Sequence, residues 1–165
     1  MKVKQPGQRP RRERGNVTLE AAIALPLLLL IAAGIIDLGM LFWEQQVLSN
    51  ATREGARAGS RAAVAGAYEY TKSTVMTSVV QPYLRNNNIR DASGSLITLT
   101  LGGNFTYTVD TAVNPNRLTI RLVNIPVRMM LLPNIQTLFD AGAMDQTVNL
   151  NAQTTMAAEW ITAPP

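Results

Sequence analysis

The stretch GNVTLEAAIALPLLLLIAAGIIDLGMLFW, Gly15 to Trp43, decides how the rest of the chain is read. From Ala21 to Ile36 it carries no charge, Asp37 interrupts, and the apolar run then continues to Trp43. A helix rises about 1.5 Å per residue, so Leu19 to Trp43 reaches about 37 Å. A bilayer core takes about 20 apolar residues to cross. A soluble core helix keeps a polar face, and residues 21–36 have none. The stretch therefore predicts a membrane-spanning helix over 19–43, with Pro26 as a local kink and Phe42-Trp43 as an interfacial anchor.

Charge gives the orientation. The first fifteen residues hold Lys2, Lys4, Arg9, Arg11, Arg12 and Arg14 against Glu13 alone. Past the apolar run the next cations are Arg53, Arg57 and Arg61. The denser cluster stays in the cytoplasm, which puts everything from Glu44 onward outside. The formal net charge is +4; the head contributes +5 and the remainder −1. The basic character thus belongs to the head, and nucleic acid is not an expected partner. A cleaved signal peptide has a shorter apolar region, about 7–15 residues, followed by a cut site. A plain signal anchor leaves Glu20 unexplained, because a charge near a membrane segment is costly and functional by default.

A basic head ending in glycine, four residues, a glutamate and then an apolar helix resembles the processing site of type IV pilin precursors. The continuation is similar to the TadE-like proteins of the tight-adherence (Tad) pilus machinery. Leu25-Pro26, Asp37 near the end of the membrane helix, NATREGARAG at 50–59 and Met156 to Glu159 carry that likeness. Ala21 departs from the aromatic residue that often follows the glutamate in Tad-type sites. The resemblance implies that a prepilin peptidase cuts between Gly15 and Asn16, making Glu20 the fifth residue of the mature chain. It implies that Glu20 pairs with the terminal amine of a neighbouring subunit. It implies a minor pilin or pseudopilin of a Tad pilus assembly and secretion system. Such a protein is single-pass in the bacterial cytoplasmic membrane and has other Tad pilins and platform proteins as partners. The alternative is a membrane-anchored binding module of the cell envelope that keeps its leader.

Three segments follow: a leader at 1–15, a helix at 16–67 and an extracytoplasmic domain at 68–165. Along the helix, Ala51, Gly55, Gly59 and Ala62 form a stripe of small residues, a packing face. It serves either a subunit seam or contact with the chain's own sheet. Residues 68–90 hold a second helical pattern, with Val75, Met76, Val79, Val80, Tyr83 and Leu84 on one face and Pro82 as a kink or early end. From Ser95 the period becomes two. Ile97-Leu99-Leu101, Phe105-Tyr107-Val109, Leu118-Ile120-Leu122 with a resumption at 127–129, and Val148 to Met156 read as half-buried antiparallel strands. Turns fall at Gly102-Gly103 and around Pro115. Leu131 to Ala143 reads as a short helix or ordered loop. The predicted class is α+β, a long helix continuing into a domain whose second helix packs on an antiparallel sheet of about three or four strands.

The chain contains neither histidine nor cysteine. The commonest general base, thiolate chemistry, disulfides and most zinc sites are absent with them. The carboxylates are scattered, and Gly102-Gly103 lacks the lysine of a phosphate loop. The composition points away from an enzyme and calls for no cofactor or metal.

Overall fold

A computed structural model describes residues 12–61, 71–113, 115–136 and 147–158. Helix α1 runs from Arg12 to Ser60 without a break, Pro26 included. It ends seven residues before the boundary expected at 67; residues 62–67, among them Ala62 and Gly66, lie outside the described residues.

Helix α2 covers 72–86 in three parts: Lys72–Thr74, a π-helical turn Val75–Val80, and Gln81–Asn86. The Thr71 hydroxyl accepts from the Thr74 amide at 3.2 Å and caps its start. Pro82 neither ends nor visibly splits this helix. The π turn just before it has the Gln81 amide bonded to the Met76 carbonyl. The wider turn relieves the crowding a proline ring would meet in a regular ladder. Val75, Val80 and Leu84 are fully buried on the predicted face.

Three strands follow, β1 (Phe105–Asp110), β2 (Arg117–Arg128) and β3 (Thr147–Ala157), in spatial order β1-β2-β3 and antiparallel throughout. The stretch from Ile97 to Thr100, expected as a strand, joins no ladder. Its alternation is real, since Ile97 and Leu99 are buried. Asn104 takes the place of a strand partner: its Oδ1 accepts from the Thr100 amide at 2.7 Å and its Nδ2 donates to the Thr98 carbonyl at 3.0 Å. Gly102 turns the chain at φ 78°. The two pieces expected around Pro126 form one strand with a register shift between Leu122 and Ile125. Asn124 sits there at φ 52°, and its amide donates to Asn151 Oδ1 at 2.8 Å. Pro126 falls beyond the part of β2 that β1 covers, so its missing N–H disrupts no ladder on that side.

The core lies between α1, α2 and one sheet face. Val47, Leu48, Ala51 and Ala56 of α1 meet Phe105, Leu118, Ile120, Leu122 and Val127 of the sheet. On β3 the inward set is the expected one: Val148, Leu150, Ala152, Thr154 and Met156 are buried or half-buried, while Asn149, Asn151, Gln153 and Thr155 are exposed. α1 is bolted to β3 by the Thr52 and Thr154 hydroxyls at 2.8 Å and by Gln45 Nε2 donating to the Asn151 carbonyl at 2.8 Å. A short helix α3, Leu132–Gln136, returns the chain to α1 after β2. The rest of the short helix or ordered loop expected over Leu131 to Ala143, from residue 137 on, and the terminal residue Glu159 lie outside the described residues.

Candidate functional site

The candidate functional surface is the first half of α1. Val17, Leu19, Ile23, Leu25 and the run Leu27 to Ile31 are exposed. Only 6% of the most apolar window of this helix is buried. A core helix of a soluble domain would be covered. An uncovered apolar helix of this length is a membrane stem, and among the described residues it is the one helix long and apolar enough to cross a bilayer. Glu20 is exposed on this stem. Gly15 and Asn16 lie within the helical backbone of its first turns.

Asp37, like Ala33 one turn before it, is buried on the stem, at 2% exposed. Its Oδ1 accepts from the amides of Met130 at 3.2 Å and Leu131 at 3.1 Å. Its Oδ2 accepts from Leu131 at 3.1 Å and from Leu132 at 2.7 Å. A carboxylate has about four lone-pair sites, and all are engaged here. A charge costly in an apolar helix is thereby neutralised by backbone dipoles at the start of α3. Sequence reasoning noticed Asp37 but assigned it no partner. The readable signal was an acid in an apolar helix together with a distant Leu-Leu-Pro.

The small-residue stripe has an occupant within the chain. A Cβ on Gly55 would come 2.6 Å from Val80 Cγ2 and 3.1 Å from Ile120 Cδ1. One on Gly59 would come 2.8 Å from Leu118 Cδ2 and 3.1 Å from the Tyr107 ring. The Tyr107 hydroxyl donates to the Gly59 carbonyl at 3.4 Å. Ala51 is fully buried in the same core. Of the two uses expected, these three residues serve the sheet and α2; the face is filled and is not open to another subunit. Arg53 and Arg57 on another side of α1, and Arg61 just past its end, are exposed.

Just beyond the stem, Glu44 lines a cleft of about 320 Å³ with Trp43, Arg90, Asp91, Arg128 and Met130. Burial pushes its carboxyl up to about 7. Arg90 is held elsewhere, donating to the Gly94 carbonyl at 2.7 Å. Asp91 is shifted the other way, below its ordinary value, first by the Ser93 hydroxyl and also by loop amides. The folded pKa of Glu44 lies above the unfolded one. Its contribution to stability is therefore complete below about pH 4.5 and is lost as pH rises through about 7. The domain should unfold more readily at pH 8 than at pH 5.5 in denaturant titrations of the detergent-solubilised chain. Glu44→Gln should flatten that difference. Asp91 does not oppose it in this window, since its own contribution is lost only in acid.

Among the described residues no three acidic side chains come together as a metal site. The model of the TadE-like protein family matches residues 15–57. The match takes in Gly15, Glu20, Asp37 and Gly55, and it makes the stem similar to that of Tad pilus-associated components. No curated protein and no solved structure matches the chain.

Proposed function

We propose that this chain is a minor pilin- or pseudopilin-like subunit of a Tad pilus assembly and secretion system. It is held in the cytoplasmic membrane by α1, with its α+β domain outside. Its work is done by contact and not by catalysis. The observation that carries the reading is the exposure of Glu20 on the apolar stem, five residues after Gly15, within the family-matched stretch. A lone carboxylate on a lipid-facing helix requires a counter-charge. A prepilin peptidase cutting after Gly15 supplies one, the new amine of Asn16 on a neighbouring subunit. In a low-dielectric bundle that attraction far exceeds its strength in water.

The test is the mature N-terminus. In cells with an active prepilin peptidase, intact-mass measurement should find Asn16 first. Gly15→Ala should accumulate as the unprocessed precursor, because the added methyl blocks close approach to the scissile backbone. Glu20→Ala should be processed and inserted normally but recovered in pilus complexes at a small fraction of the usual yield. Equal loss of insertion and assembly would remove the pairing role. One observation favours the second reading, a membrane-anchored binding module that keeps its leader. The helix begins at Arg12 and runs through the Gly15–Asn16 bond, which a peptidase must find extended. A full-length chain beside an active peptidase would decide for that reading.

A further inference from the structure

We propose that the segment from Met130 to Gln136 is a membrane foot, seated among the acyl chains of the leaflet nearest the domain. The inference rests on the reading of α1 as a membrane span. Two rulers along α1 give the depth. From Leu19, Gly34 lies about 22 Å along the helix and Asp37 about 27 Å, both inside a hydrocarbon core about 30 Å thick. From the other end, Trp43 and Phe42 are 49% and 72% exposed, as interfacial aromatics are. Asp37 lies about 9 Å below Trp43 and Gly34 about 13 Å below it. The foot docks at this level. Leu132 Cδ2 lies 3.9 Å from where a Gly34 Cβ would be, and the Met130 to Leu132 amides hold Asp37.

The chemistry of the segment suits that depth. Non-helical backbone survives in lipid only where its polar groups are satisfied within the protein. Here the amides of 130, 131 and 132 all donate to Asp37, and residue 133 is a proline with no amide to satisfy. The Met130 carbonyl accepts from Asn134 Nδ2 at 2.6 Å. Outward the foot shows Met130, 55% exposed, the half-buried Leu131 and Leu132, and one polar residue, the exposed Asn134, whose Nδ2 is engaged by the Met130 carbonyl. This surface continues the exposed apolar surface of α1, whose Ile35, Ile36 and Leu38 flank the docking level. The occupant that continuity selects is hydrocarbon.

The chain has no cysteine, so single labels are available without further change. Full-length chains carrying Met130→Cys, Leu29→Cys or Thr155→Cys, each labelled with a small fluorophore, are reconstituted in phosphatidylcholine vesicles. The vesicles contain lipids with a quencher at a shallow or a deep acyl position. The label at 130 should be quenched by the shallow acyl quencher at least about twofold more than the label at 155, with Leu29 quenched by the deep one. A label at 130 that responds only to aqueous iodide, with Leu29 still quenched in the bilayer, places the foot in water and overturns the proposal. A label at 130 reached by neither quencher shows that protein covers it, a second copy of the chain, and overturns the lipid assignment. Failure at Leu29 as well removes the membrane span itself, and with it the premise.

Discussion

Asp37→Ala should lower the stability of the α+β domain by about 2–3 kcal/mol, even though it makes α1 more apolar and easier to insert. The carboxylate is 2% exposed and accepts from three consecutive amides, the closest at 2.7 Å. Removing it leaves those donors without an acceptor, and each buried donor left unmade costs about 1–3 kcal/mol. Relaxation of the segment recovers part of that. For a domain of this size the loss corresponds to a fall in Tm of roughly 10 °C. Asp37→Asn keeps one acceptor oxygen and turns an N–H toward the other amides, so it should fall between. The measurement is thermal unfolding of the full chain in detergent, with membrane insertion followed in parallel. Insertion preserved and Tm lowered is the expected pattern. An unchanged Tm would mean that the Asp37 contacts do not couple α3 to α1.

Gly55→Val should be more damaging, by about 3 kcal/mol or more. A single Cβ at this position already comes 2.6 Å from Val80 Cγ2, closer than carbon atoms approach. Val80 is β-branched, fully buried and on a helix, so it has little rotamer freedom with which to yield. Ile120 at 3.1 Å closes the other side. Overpacking a filled core by one side chain typically costs about 1–3 kcal/mol, and the two further methyls of valine have nowhere to go. Gly55→Ala is the informative companion. In an open helix it would gain about 1 kcal/mol from propensity alone. Here the clash should outweigh that gain, and denaturant midpoints should fall. Gly59→Ala should cost less, because its nearest neighbour is the far end of the Leu118 side chain, which can move. If the stripe were instead a seam between subunits, both alanine variants would be as stable as the parent or more so.

The stem was legible because its signal is one-dimensional. A charge-free run longer than a bilayer core needs no knowledge of what lies beside it, and a family match to 15–57 falls on that same stretch. The strands were legible where alternation coincides with pairing, as along β3. They were misread at Ile97 to Thr100, where alternation reports burial alone and Asn104 satisfies the backbone. Of the kink or early end expected at Pro82, the early end does not occur: a π turn, which leaves no mark in the hydrophobic pattern, carries the helix through it.

The amino-acid order by itself settled what each segment can do: which helix can face lipid, which strands have one wet face, and that no histidine or thiol chemistry is present. Tertiary structure decided what each polar or small residue is for. It placed Gly55 and Gly59 against the chain's own sheet and second helix, and it brought Asp37 to amides more than ninety residues away. Periodicity encodes which face of an element is buried, but not against what. A hydrogen-bond partner far along the chain is chosen only when packing brings two distant backbones together.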